Sequence, residues 1–295
     1  MAEKAGRRTL YFPDEDSHEL RSANGGIASD PNGIPARYWR WDVTDHARFR
    51  HELVLHPEVA SETRPGWYVP RVYRGIETPP HVDIEAFRAS IVVARGLLRR
   101  LRAIFDVVEP RRAQASVFGH EIRQLVILAC TEVESGWSAV LKANGYAKER
   151  CTTGDYVLLK EPMKLEGYAL GLTLYPEYGE IRPFEGWDPE CATQSLKWYD
   201  GYNGTKHDRE ALLSKATVEF AIAAIAAVIV MVEAQFGPSP TGQPALPDDF
   251  HVVQRPDWLA DAYIRPLLEP DEPDGAEWPY EWTPRPLFPA GRPES

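Results

Sequence analysis

The sequence predicts a mainly α protein: a helical bundle preceded by an irregular or short-strand N-terminal region and followed by a Pro-rich extended C-terminal arm. Three observations carry this expectation. Between residues 81 and 236, apolar side chains recur at spacings of three and four over long stretches. Residues 1–80 instead mix short aromatic segments with dense turn signals. From 237 to 295 the composition shifts to proline and acidic residues with scattered Trp and Tyr.

At 295 residues the chain can bury a substantial core, as one large domain or two small ones. Its formal net charge of −11 is uneven: residues 1–80 carry 11 basic and 12 acidic side chains, residues 81–236 carry 18 and 21, and residues 237–295 carry 4 and 11. The tail supplies most of the excess acid. The centre is nearly balanced, which excludes a strongly basic nucleic-acid-binding domain but leaves room for a local basic patch. The start, MAEKAGRRTLYF, is charged and lacks the apolar segment of a secretion signal. Cys130, Cys151 and Cys191 are odd in number and far apart, which suggests neither a disulfide framework nor a zinc site. A reducing, cytoplasmic setting is the expectation.

In residues 1–80, the segments Ala36–Trp41 and Trp67–Tyr73 alternate aromatic and other residues as short strands do, and Asn24-Gly25-Gly26 and Asp30-Pro31-Asn32-Gly33 mark turns. Residues 82–108 form the first predicted helix, with Ile84, Phe87, Ile91, Val92, Leu97, Leu98, Leu101, Ile104 and Phe105 on its apolar side and Arg88, Arg95, Arg99, Arg100 and Arg102 on its polar side; Glu109-Pro110 ends it. A second helix is expected over 118–144, stopped by Gly145. Glu132 lies there among apolar neighbours, so it calls for a basic partner such as Lys206 or Arg209. Thr152-Thr153-Gly154-Asp155 then reads as a turn or helix start, followed by a short helix to about Leu165, and Tyr168–Tyr175 as a strand or extended connector.

The third long helix is expected from Lys206 to about Gln235, roughly 45 Å at the usual rise. Its run from Ala216 to Val232 contains Glu219 and falls short of a membrane span, so a buried bundle helix is expected and no membrane partner. Gly201 and Gly204 suggest a turn before it, Thr205 an N-cap, and Asp208 the matching capping-box position. That start would gather Lys206, His207 and Arg209 beside unpaired main-chain N–H groups, a setting for a phosphate or carboxylate. A short helix over 257–268 and an aromatic arm, Trp278-Pro279-Tyr280-Glu281-Trp282, complete the chain.

The stretch Tyr202-Asn203-Gly204-Thr205-Lys206-His207-Asp208-Arg209, followed by a long apolar helix and preceded by two further helices, resembles the HEPN superfamily of helical-bundle proteins over residues 82–236. The resemblance implies a HEPN-like bundle, an RNA-directed role in a toxin or antiphage system, and a dimer with the motif residues facing one another. It puts His207 at the motif histidine with Asn203 as its polar neighbour. The superfamily's nuclease motif has an arginine separated from its histidine by four to six residues, whereas this chain has Asp200, Gly201 and Tyr202 at those positions, and Arg209 after the histidine.

The implied chemistry is metal-independent endoribonuclease action, by attack of a ribose 2′-hydroxyl on the adjacent phosphate. His207 would be general acid or base. Arg209 and Lys206 would hold the developing phosphate charge, Tyr202 or Trp198 would stack a base, and Glu132 and Asp208 would support them. No cofactor is called for, and no metal-ligand set is apparent near the motif. The alternative is a non-catalytic interaction module, in which Asn203, Lys206, His207 and Arg209 pin a helix to Glu132 and Glu134 while the bundle binds a protein partner.

Overall fold

A computed structural model describes residues 10–11, 19–22, 27–29, 67–74, 82–207, 213–238, 240, 249–256 and 283–289. The predicted segment Arg37–Trp41, the short helix over 257–268, the arm Trp278–Trp282, and Asp208 and Arg209 lie outside the described residues. The chain divides into two compact units. One comprises Met1–Tyr68, Arg74–Ile76 and Asp257–Arg285; the other comprises Val69–Tyr73, Glu77–Pro256 and Pro286–Ser295.

In the first unit, β1 (Leu10–Tyr11), β2 (Glu19–Ser22) and β3 (Ile27–Ser29) form an antiparallel sheet in that order, with Leu10 opposite Ser22 and Arg21 opposite Ile27. The strand β4 (Trp67–Tyr68) pairs in parallel with β7 (Thr283–Pro284). Of the two strand segments expected from the sequence, Trp67–Tyr73 is a strand only at Trp67 and Tyr68, and Ala36–Trp41 lies outside the described residues.

The second unit is helical. α1 (Ile84–Phe105) starts where the Asp83 carboxylate accepts the Ala86 N–H at 2.9 Å. It buries Phe87, Ile91, Ala94, Leu97, Leu98, Leu101 and Ile104, most of the predicted stripe, whereas Val92, which the spacing had put on that side, is exposed among the arginines. α2 (His120–Ala143) buries Ile122, Leu125, Val126, Ala129, Val133, Trp137, Val140 and Leu141. It ends at Gly145, whose φ of 81° is left-handed and where a Cβ would lie 2.6 Å from the Phe288 carbonyl. The returning chain sits on that end: Asn144 accepts from the Phe288 and Leu287 N–H groups, and Phe288 packs edge-on against Tyr146.

The segment between α2 and the next long helix has structure of its own. α3 (Thr153–Tyr156) starts at the predicted position, with Asp155 accepting the Thr152 N–H at 2.6 Å, but it is continued only by a 3-10 turn over Val157–Leu159, short of the end expected near Leu165. β5 (Ala169–Leu172) is fully buried and pairs antiparallel with β6 (Phe250–Gln254), while Leu170 also exchanges main-chain hydrogen bonds with Ile181. Trp137 of α2 is the hub for this layer, with its ring 5.0 Å from Trp187, 5.1 Å from Tyr156 and 5.6 Å from Tyr199.

The expected helix from Lys206 to Gln235 is instead two helices. α4 (Lys197–His207) runs through Gly201 and Gly204, and α5 (Val218–Phe236) begins twelve positions after Lys206, where the long helix was expected to start. Burial decides this. A helical Gly costs about 1 kcal/mol relative to Ala, whereas Trp198, Tyr199 and Tyr202 each bury a ring whose removal from water contributes about 1.5–3 kcal/mol. α5 is nearly all buried, packing chiefly on α2 and also on α1 and α4. It is long and apolar enough to cross a membrane by composition, and most of it lies inside the bundle.

Candidate functional site

The motif region is built on α4. Trp198, Tyr199, Gly201, Tyr202 and Thr205 form its buried side, while Asn203 and Gly204 are half-buried and Lys206 is exposed. Gly201 is required by packing, since a Cβ there would come within 2.6 Å of the Phe220 ring. Trp198 donates its indole N–H to the Pro183 carbonyl at 2.7 Å and is 4% exposed; Tyr202 is 1% exposed. Neither ring is open for a base to stack on, which corrects the expectation for both.

The helix start expected at Thr205 is also corrected. Thr205 lies within α4, fully buried, and its hydroxyl donates to the Tyr202 carbonyl at 3.1 Å, as a threonine does in a helix interior. The N-cap of the long helix is Thr217, whose hydroxyl accepts the Phe220 N–H at 3.3 Å. The remaining early amides of α5 are occupied: Val218 N–H donates to the Val117 carbonyl at 2.8 Å and Glu219 N–H to the Ala115 carbonyl at 3.0 Å. The positive end of α5 is therefore closed by main chain. Lys206 and His207 stand at the other kind of helix end, in the last turn of α4, where cations complement the carbonyl dipole.

What replaces the amide cluster is a side chain from α2. Arg123 donates from Nη2 and Nε to the Thr205 carbonyl at 2.8 and 3.2 Å. This satisfies a terminal carbonyl of α4 and brings a guanidinium to the end that carries Lys206. Further back along the same two helices, the Tyr199 hydroxyl donates to the Glu134 carboxylate at 2.5 Å. Burial, followed by the hydrogen bond to that carboxylate and its charge, raises the Tyr199 phenol far above its ordinary range. The Lys206 ammonium donates to the Tyr202 hydroxyl at 3.1 Å, and that bond holds its pKa above the usual value.

Glu132 does not receive Lys206, one of the two partners expected for it, and the other, Arg209, lies outside the described residues. It has no ion pair or hydrogen bond among the described residues, and burial raises its pKa. Lys206 is engaged with Tyr202 instead. Of the remaining sequence candidates, Asn203 is on α4 with Lys206, and His207 is the last residue of that helix, its side chain outside the described residues. Arg123 was missed because in sequence it reads as one more polar residue of α2. The signal was its spacing: 123, 127, 130 and 134 form one helical stripe, and its two ends hold Thr205 and Tyr199 of α4.

A cavity of about 380 Å³ opens at the other end of α4, lined by Arg112, Arg182, Lys197, Trp198 and Glu219 among others. Its charges are largely paired, Arg112 with Glu219 at 3.5 Å and Arg182 with Glu180 at 2.9 Å. Arg112 also stacks over Tyr178 at 4.3 Å, and burial pushes the Tyr178 phenol up to about 12 against the opposing effect of Arg112. The cavity thus presents little net charge.

No cluster of three His, Cys, Asp or Glu side chains suited to a metal ion occurs among the described residues. Neither the protein-family models, nor the curated proteins, nor the solved structures compared with this chain gave a match.

Proposed function

We propose that this chain is a HEPN-like, RNA-directed helical-bundle protein whose working edge is the C-terminal end of α4, with His207 as general acid or base of a metal-independent cleavage. The observation that carries the reading is the Arg123–Thr205 contact, which adds a guanidinium to Lys206 at the end of the motif helix. The motif lacks an arginine before its histidine in sequence, and a cation from α2 stands near that helix end in space. Phosphate stabilisation then rests on Arg123, Lys206 and Arg209 rather than on helix amides. Asn203, on the same helix and partly exposed, is available to orient the ribose or phosphate.

A second reading, a non-catalytic interaction module, is favoured by the burial of Trp198 and Tyr202 and by the ordinary complementarity of cations with a helix C-terminus. Purified full-length protein incubated with labelled RNA in EDTA, beside His207→Ala, separates the two. Cleavage by the wild type and none by the variant supports the RNase reading. Cleavage that survives the substitution removes His207 from the site, and folded wild type that cleaves no RNA leaves the interaction module.

A further inference from the structure

The solvent side of α1 carries five arginines and, after Glu85 in its first turn, no carboxylate as far as Phe105. Arg88, Arg95, Arg99 and Arg102 fall at spacings of seven, four and three, which places them on one helical stripe. Arg102 is neutralised by a two-pronged pair with Asp249 at 2.5 and 2.6 Å. Arg88, Arg95 and Arg99 are exposed and make no hydrogen bond or ion pair among the described residues. Val92, 69% exposed, lies between the first two on the same stripe. In a chain of net charge −11, three unneutralised guanidinium groups in a row run against the overall balance.

We propose that this stripe of α1 is a binding surface for the phosphate backbone of single-stranded RNA. The proposal rests on the RNA-directed reading above and names where the strand is held. The rise along the helix puts Arg88 and Arg95 about 10 Å apart and Arg95 and Arg99 about 6 Å apart. Flexible side chains at these separations can follow a regularly repeating anion, and guanidinium forks engage phosphate oxygens two at a time. Val92 offers an apolar contact to a sugar or base edge between them. The recognition is of charge and spacing, so it carries no base preference.

The test uses full-length protein and a labelled 2′-O-methyl RNA, which the proposed 2′-hydroxyl attack cannot cleave, read by fluorescence anisotropy over a salt series. The variant Arg88→Gln/Arg95→Gln/Arg99→Gln is expected to bind about tenfold more weakly, with the slope of log K against log salt smaller by about 2, the amount for three lost phosphate contacts on a single strand. A control, Arg111→Gln/Lys142→Gln/Arg150→Gln, removes the same charge at other exposed positions and is expected to bind as the wild type does. Equal weakening by both triples, or none by the first, overturns the stripe. If wild type binds while the stripe variant is unaffected, the RNA reading survives without the stripe. Wild type that binds no RNA even at low salt overturns both. Stripe-dependent binding of polyglutamate in that case assigns the surface to an acidic protein.

Discussion

Arg123, near the start of α2, donates two N–H groups to the main-chain carbonyl of Thr205, near the end of α4. One contact thereby closes the motif helix and fixes a cation at its end. It also ties the packing of two helices to the electrostatics of the candidate site.

Replacing Arg123 tests both roles. Arg123→Ala leaves the Thr205 carbonyl without this partner and is expected to cost about 1–3 kcal/mol, measured by urea denaturation. RNA binding is expected to weaken with it. Arg123→Lys retains the charge without the fork, so it should restore RNA binding more fully than stability. A residue that only capped the helix would show the reverse, with binding at folded protein concentrations unchanged in both variants.

The close approach of α4 and α5 rests on Gly201. A methyl group at that position meets the Phe220 ring at 2.6 Å, and the Lys215 carbonyl is 3.2 Å away. Gly201→Ala is expected to destabilise the protein by about 1–3 kcal/mol, despite the better helix propensity of alanine. A thermal midpoint unchanged or raised would show that the two helices do not pack as closely as described.

The start of α5 is tested by its cap. Thr217→Ala removes the acceptor for the Phe220 N–H and is expected to cost about 1 kcal/mol. Thr205→Val, by contrast, removes an intrahelical hydroxyl contact within α4 and no cap. If chemical denaturation ranked Thr205 as the more costly hydroxyl to lose, the helix would begin where the sequence first suggested.

Asp155 gives the stability a pH dependence of known sign. Its burial opposes ionisation, yet hydrogen bonds from Tyr146 at 2.6 Å, from Lys148 at 2.9 and 3.0 Å and from Thr152 outweigh burial and hold the carboxyl well below its usual range. The folded state therefore binds the proton less tightly than the unfolded chain. This contribution is complete above the unfolded value of about 4 and is lost as the pH falls from there through the folded value. Asp155→Asn should lower the denaturation midpoint at neutral pH and flatten the acid limb of the stability curve. An acid limb as steep as that of wild type would mean that other carboxylates set it.

The helices α1 and α2 were legible because both combine a three-and-four apolar spacing with ordinary stop signals, Glu109-Pro110 shortly after one and Gly145 after the other. The start of α3 was legible from the pairing of Thr152 with Asp155. The junction was misread because Gly201 and Gly204 resemble turn residues and Thr205 resembles a cap. Only the tertiary burial of Trp198, Tyr199 and Tyr202, with Phe220 lying against Gly201, makes that stretch helical. The same burial removed the two rings expected to meet a base. Arg123 could not be joined to the motif from sequence, because 82 positions separate it from Thr205 and nothing local announces the contact.

The central claim, that the end of α4 is an RNA-cleaving edge, is tested most directly by identifying the ends of the products. Wild-type protein in EDTA is incubated with a labelled RNA and with DNA of the same sequence. The account predicts cleavage of the RNA alone, with 2′,3′-cyclic phosphate and 5′-hydroxyl ends. Cleavage of both strands, products with 5′-phosphates, or no cleavage by folded protein would contradict it.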